Sequence, residues 1–415
     1  MKNIKKSIYI AVLAIIILIG AGYYQDRYKS RSVAEYIVST AENYDKTPQG
    51  VYNKAWRIIK NNFVDESYNN QDWKKWKTRY KAQIKTDEDL RVATESMLAS
   101  LNDPYTRFLP KDDFEEQHRN IDSRLRGIGV HITEADGNII VVSVIEDTPA
   151  KKYGLKQKDQ ILKVDKISTK GLPLKDVAEL IRGEEGSVVV LTILRDEKTI
   201  VKKIAREEIK IKTVKYEMLD KNIAYIRILS FISNDTHNEF KKALYATKSS
   251  DGIIVDVRGN FGGLLTNAVY ITNMFLKTGN IVSIVDKDEN KQDYPADLSM
   301  FITQKPVVIL TDESSASASE IFSGAMKDHK KAVLVGKKTF GKGRVQMVTE
   351  LPDGSGVNFT IAKYLTPSGI DIEHKGIEPD YEVDYKGNEE SPEKDTQLKK
   401  AIEVLLGEIR KTKAA

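Results

Sequence analysis

Apolar positions in the first third of the chain recur every three or four residues: Val51, Ala55, Ile58 and Ile59, then Leu90, Val92, Ala93, Met97 and Leu98. That period belongs to amphipathic helices and no strand-like alternation interrupts it, so 25–120 is predicted to be a helical N-terminal region. Across 121–210 the pattern changes to short β-branched runs, 139–145 and 188–194, separated by turn signals at Asp136-Gly137, Thr148-Pro149 and Gly183-Glu184-Glu185-Gly186. One small β-rich module fits there. From 211 to 386, apolar strands such as 253–257 and 306–310 alternate with helical stretches 264–276 and 317–327, the pattern of a layered α/β core. The last segment, 387–415, is a polar linker and an amphipathic helix with Leu398, Ala401, Ile402, Leu405 and Leu406 on one face.

One stretch, Ser7–Tyr24, is apolar without a period, and Lys2, Lys5 and Lys6 precede it. At a rise of about 1.5 Å per residue it just spans a hydrocarbon core of roughly 30 Å. Residues 1–24 are therefore expected to be a signal anchor. The positive flank puts the N-terminus in the cytoplasm and residue 25 onward outside. The small cluster Gly20-Ala21-Gly22 leaves a cleaved secretory signal open. Both readings export the bulk of the chain, to the cell membrane as a single-pass protein or, if cleaved, as a secreted one.

At 415 residues the chain is longer than one hydrophobic core supports, in keeping with several units. Its 65 Lys and Arg against 60 Asp and Glu give a net charge of +5, and no basic run is interleaved with aromatics, which argues against nucleic acid as a partner. Cysteine is absent, so disulfides, zinc ribbons and thiol nucleophiles are excluded. Histidine pairs four apart are also missing, and neither a metal nor a cofactor is called for.

The first candidate site is Gly127-Ile128-Gly129-Val130, a glycine-flanked turn opening a strand. Backbone N–H groups of such a turn can cradle a terminal carboxylate while the strand edge accepts an extended peptide. A plain hairpin turn has the same sequence. Thr148-Pro149-Ala150 with Gly154-Leu155 follows, then Asp159-Gln160-Ile161-Leu162-Lys163-Val164-Asp165. In this order the three resemble a PDZ domain of the circularly permuted bacterial kind, closed by Leu180-Ile181-Arg182-Gly183 and the strand before Arg195. Where that family has Pro-Gly, this chain has Gln157-Lys158, so a less tightly bent turn is expected. Arg182, near the end of the module's helix, is either a solubilising charge or a guanidinium able to bridge modules.

The second candidate is Ser314-Ser315-Ala316-Ser317-Ala318-Ser319-Glu320, set between a strand and a helix. A serine at a first helical turn lies beside unpaired N–H groups and the positive helix end, which stabilise an alkoxide or oxyanion. Serines ahead of helices also serve as caps, a role open to Ser315 or Ser319 with Glu320 nearby. None of His118, His131, His237, His329 and His374 sits in an order that suggests a base. A buried lysine can take that place, and Thr339-Phe340-Gly341-Lys342-Gly343-Arg344-Val345-Gln346 offers Lys342, with Gln346 four residues on to orient it. A phosphate loop is the competing use of Gly341-Lys342-Gly343, but the spacing and the Ser/Thr of a P-loop are missing.

These two segments, with Tyr364-Leu365-Thr366-Pro367-Ser368-Gly369, Gly376-Ile377-Glu378-Pro379-Asp380, Leu101-Asn102-Asp103-Pro104-Tyr105-Thr106 and Asp256-Val257-Arg258-Gly259-Asn260-Phe261-Gly262-Gly263, resemble the C-terminal processing (tail-specific) peptidase family over roughly 45–405. The resemblance implies a crotonase/ClpP-like layered α/β protease core with an inserted PDZ domain and helical ends. It implies Ser317 as nucleophile, Lys342 as general base, Gln346 as its orienting partner, and N–H groups of Ala318 and of Gly262 or Gly263, with Gly263 favoured, as oxyanion hole. Asp256 and Arg258 are expected to hold their loop by ion pairing. Protein substrates with accessible C-terminal tails, a homodimer and an activating accessory protein are implied too. Competing functions are a silent tail-binding scaffold and another acyl hydrolase on the same fold.

Overall fold

The computed structural model describes residues 45–122, 124–135, 137–145, 147–210, 212–386 and 394–414. The apolar stretch 7–24 lies outside them; no helix among the described residues is long and apolar enough to cross a membrane.

Thr47 accepts from the Gly50 N–H and Pro48 sits at the first turn, starting α1 (Pro48–Asn62). Asp72 caps α2 (Trp73–Arg79), and a capping box of Thr86 and Asp89 starts α3 (Asp87–Ala99). Their apolar stripes bury Tyr52, Ile59, Trp73, Leu90 and Met97 against Val357 and Phe359 of a later strand. β1 (Arg107–Leu109) and α4 (Lys111–Asp122) follow. β1 departs from the helical pattern expected here: it pairs antiparallel with Gly356–Asn358, far along the chain. Three residues are too few for an alternation to show in sequence.

Residues 119–211 form a separate compact unit. It contains β2 (Arg124–Gly127), β3 (Val130–Ala135), β4 (Asn138–Val144), α5 (Pro149–Lys152), β5 (Gln160–Val164), β6 (Ile167–Ser168), α6 (Leu174–Ile181), β7 (Val188–Arg195), β8 (Lys198–Ala205) and β9 (Glu207–Lys210). β3-β4-β5-β7-β8 make one sheet with β6 beside β5, while β2 pairs with β9. Alternate residues of the sheet, Ile139, Val141, Ile161, Val189, Leu191 and Ile193, share a core with Val177 and Ile181 of α6.

The other unit resumes with β10 (Val214–Leu219), β11 (Ile223–Ile228), α7 (Thr236–Ala246), β12 (Gly252–Asp256), α8 (Leu265–Asn273), β13 (Asn280–Asp286), β14 (Lys291–Pro295), β15 (Val307–Thr311), α9 (Ala318–Asp328), β16 (Ala332–Gly336), β17 (Arg344–Glu350), β18 (Gly356–Leu365), β19 (Tyr381–Glu382) and α10 (Thr396–Ala414). Six strands run in the order β10-β11-β12-β15-β16-β19, parallel from β11 onward. β12 and β15 are buried at every residue because both faces are covered. Ile253, Val255, Val307 and Ile309 face the cluster containing Phe240, Leu265 and Phe322, whereas Ile254, Val308 and Leu310 face Ala401 and Leu405 of α10. A second, antiparallel sheet, β1-β18-β13-β14 with β17 on β18, completes this unit.

Candidate active site

β15 ends at Thr311, and the chain turns sharply before α9 starts at Ala318. Ser315 Oγ donates to Val257 O at 2.8 Å and Ser319 Oγ to Asn260 O at 2.9 Å, so both flanking serines bind this turn to the loop 257–263. The Ala316 N–H donates to the same Asn260 O at 3.0 Å. Ser317 occupies the N-cap position itself, with φ 56° and ψ −113°. A non-glycine residue held there carries strain of order 1–3 kcal/mol, a cost characteristic of functional positions. Its Oγ is buried and has no hydrogen-bond partner among the described residues, so the hydroxyl does not cap the helix. The cap comes from the other direction: Glu320 Oε2 accepts the Ser317 N–H at 2.8 Å.

Gly262 and Gly263 lie against this turn. A Cβ on Gly262 would stand 2.7 Å from Ala316 O and 2.9 Å from Ala318 N, and one on Gly263 would collide with the Phe231 backbone. Their φ angles, 99° and 145°, also favour glycine. The Gly262 N–H donates to Asn260 Oδ1 at 2.9 Å and is thereby occupied. Neither Gly263 nor Ala318 donates its N–H to an acceptor among the described residues. Asp256 is fully buried and pairs with Arg258 at 2.7 Å, and Arg258 also reaches Asp395 at 2.9 Å and Gln397 at 3.0 Å. These contacts anchor the loop to the start of α10.

Lys342 sits in the loop between β16 and β17, buried, its ammonium 4.9 Å from the centroid of the Tyr105 ring. Burial pushes its pKa down to about 8 and Arg107 nearby acts in the same sense; Glu373, Asp103 and Glu320 oppose the shift. The loop is organised by Glu320. Oε1 accepts from Thr339 Oγ1 at 2.6 Å and Gly341 N–H at 2.7 Å, and Oε2 accepts the Lys342 N–H at 2.9 Å besides that of Ser317. Burial raises the Glu320 pKa and the four donors oppose it. The Thr339 hydroxyl already accepts from the Ile377 N–H, so its own proton points to Glu320. The four groups bonded to the carboxylate are thus all donors, the environment that an ionised carboxylate requires. Tyr364 Oη donates to Lys342 O at 2.7 Å and lies 3.3 Å from Ser317 O.

Gln346 is buried in β17, and neither its amide oxygen nor its nitrogen has a partner among the described residues. Its expected bond to the Lys342 amine is not made here. Lys342 precedes the strand and a bulge falls between Val345 and Gln346, so a same-face argument from four-residue spacing does not carry over. Among the described side chains no histidine supplies a substitute. His131 contacts Ser143, His237 contacts Asn267, His329 contacts Asn280 O, and His374 is exposed beside Glu373. The His118 side chain lies outside the described residues. Sequence reasoning missed Glu373 altogether and saw Glu320 only as a neighbour of the capping candidates Ser315 and Ser319; no local pattern marks either carboxylate as facing Lys342.

In the smaller unit, Gly127 ends β2, Ile128 is buried in the core, and Gly129 (φ 84°) leads into β3 at Val130. The carbonyls of Ile128 and Gly129 accept from Ala150 and Ile145, while β3 forms one edge of its sheet. Asp159 is buried and receives Arg195 through Nε at 2.6 Å and Nη2 at 2.7 Å. The turn before it is tightly bent, contrary to the looser turn expected from Gln157-Lys158: Lys158 itself takes φ 72°, a conformation that favours glycine. Arg182 ends α6 and pairs with Glu179 at 2.6 Å.

A strained, buried serine, a desolvated lysine and unpaired N–H groups share one backbone framework, the parts that acyl transfer by a serine peptidase requires. Residues 222–383 match Peptidase family S41, 127–204 a PDZ domain, and 44–98 the Tricorn protease C1 domain. The chain is 36% identical over 340 residues to the carboxyl-terminal-processing protease of a Picosynechococcus species, covering 79% of this chain and 81% of that one. To the protein of the same name from a Synechocystis species it is 32% identical, covering 86% of each. A solved structure described as photosystem II D1 C-terminal processing protease matches with a TM-score of 0.55 at 31% identity, covering 82% of this chain and 94% of that one. The chain belongs to the carboxyl-terminal processing protease family and is a serine-type C-terminal processing peptidase carrying a PDZ domain.

Proposed function

We propose that this protein is an exported endopeptidase, held at the membrane through residues 7–24, that cuts protein substrates near their C-termini with a Ser317/Lys342 dyad. The carrying observation is the shared anchoring of Ser317 and Lys342 on Glu320, with Lys342 desolvated and the Ser317 hydroxyl unpaired.

Ser317 Oγ attacks the peptide carbonyl carbon while its proton passes to the neutral Lys342 amine. The oxyanion is held by the N–H groups of Ala318 and Gly263; Gly262 is the weaker candidate because Asn260 occupies its N–H. Lys342 then protonates the leaving amine as the C–N bond breaks, and water, deprotonated in turn by Lys342, releases the acyl group. Gln346, with both amide atoms unpaired, orients the amine when substrate tightens the site. Asn260 and Glu320 act as scaffold.

The PDZ domain takes the substrate's tail at Gly127, Ile128, Gly129 and Val130, supported by the edge position of β3. The unit boundaries at 121–210 and 211–386, the crotonase/ClpP-like layering of the core and its helical ends, the homodimer and the activating accessory protein belong to the same reading. Arg182 is proposed to couple tail binding to catalysis. Equal rates for Arg182→Ala and the parent, on a tailed protein and on a short tailless peptide, would remove it.

The reading as a whole is tested with casein. Cleavage and fluorophosphonate labelling are expected in the parent, and both should vanish in Ser317→Ala. Cleavage surviving that replacement would reject Ser317 as nucleophile; a folded parent that labels but leaves every protein substrate intact would favour an acyl hydrolase of another kind.

A further inference from the structure

Lys342 is walled by groups that the dyad does not use. Tyr105 lays its ring over the ammonium at 4.9 Å. Its own backbone is fixed, with its N–H donating to Asp103 Oδ1 at 3.2 Å and its carbonyl accepting from Asn358 Nδ2 at 2.8 Å. Its hydroxyl donates to Glu373 Oε1 at 3.2 Å, and burial raises the phenol's pKa, so it remains a donor. Glu373 Oε2 accepts the Gly343 N–H at 2.6 Å. One carboxylate thus ties the ring above Lys342 to the backbone of the residue that follows it.

We propose that Tyr105 and Glu373 are a positioning pair for Lys342: the ring shuts water away from the amine, and Glu373 holds ring and lysine loop in register. The proposal rests on Lys342 being the general base. The two members act with opposite sign. The ring excludes water and so favours the neutral amine, although its face also attracts the cation more weakly. The Glu373 charge favours the ammonium. Other charges facing Lys342 are Asp103 and Glu320, which favour the cation, and Arg107, which disfavours it; Tyr364 is buried beside them and neutral. Removing one member of the pair leaves these in place, so the direction of each change is set by the member removed.

The test follows the rate of Ser317 labelling by a fluorophosphonate probe against pH in the full chain, for the parent, Tyr105→Ala, Tyr105→Phe, Glu373→Gln and Lys342→Arg. Tyr105→Ala readmits water and should move the inflection up by about one pH unit, a tenfold loss at pH 7 that is recovered in alkali. Tyr105→Phe keeps the ring and should move it by less than half as much. Glu373→Gln should move it down. A merely structural role for either residue would lower the rate by the same factor at every pH with the inflection unmoved, and that result overturns the pair. If Tyr105→Ala does not fold, the downward shift in Glu373→Gln still decides. Should Lys342→Arg label with the parent's profile, the base assignment itself fails; an inactive Lys342→Arg beside unmoved inflections in the other variants rejects the pair alone.

Discussion

The backbone N–H groups of Ser317 and Lys342 converge on a single atom, Oε2 of Glu320, at 2.8 and 2.9 Å. Two loops that are separate in sequence are thereby fixed to one buried carboxylate at the first turn of α9. The spacing of the Ser317 and Lys342 backbones is set by this anchor rather than by a direct bond between their side chains.

Replacing Glu320 by Gln keeps the shape but turns one acceptor oxygen into a donor facing two donors. Activity should be lost and the protein destabilised by about 2–4 kcal/mol, the cost of stranding buried N–H groups and losing a charge-assisted network. Urea unfolding of Ser317→Ala with and without the replacement measures this free of self-cleavage. A difference below about 0.5 kcal/mol would remove Glu320 from the scaffold.

Lys342 is held against its own solvation. Its pKa falls from 10.5 to about 8 in the folded chain, so between those values the unfolded chain binds more protons than the folded one and stability rises with pH. Below about pH 8 the full cost is present, on the order of 3 kcal/mol from the size of the shift. Lys342→Met should therefore be inactive yet more stable at pH 7, with the advantage shrinking as pH approaches 10.5. Thermal unfolding from pH 6 to 10 reads this directly. A less stable Lys342→Met at neutral pH would contradict the assignment of burial as the dominant influence.

Much of the layering was legible because physics left a simple trace. β12 and β15 are covered on both faces and so are continuously apolar, and α10 shows its stripe through Ala401 and Leu405. Ser317 and Lys342 could be proposed because both lie in short, unusual runs between regular elements. What escaped depended on distant partners. β1 exists only by pairing with Val357 and its neighbours, and Glu373 reaches Lys342 from a loop beyond β18. The bulge between Val345 and Gln346 left no trace in the four-residue spacing from Lys342, and the bond expected between the two side chains is not made here.

Lys158 illustrates a departure that costs stability. Its φ of 72° is a conformation L-residues adopt with a penalty of about 1–2 kcal/mol, and glycine avoids the penalty at some loss of chain entropy. Lys158→Gly should stabilise the PDZ domain by roughly 0.5–1 kcal/mol, visible as a raised midpoint in denaturant, without altering the Asp159–Arg195 pair. Destabilisation would show that the lysine side chain makes a compensating contact.

The central claim is that neutral Lys342 takes the proton of Ser317, and the pH dependence of kcat/KM for cleavage of a tailed protein tests it most directly, in the parent and in Lys342→Arg. The parent should gain about tenfold per pH unit below an inflection near 8 and level off above it. Lys342→Arg keeps a cation that cannot act as a base and should stay at background throughout while folding normally. A Lys342→Arg enzyme that retains substantial turnover, or the parent's inflection, would contradict the account.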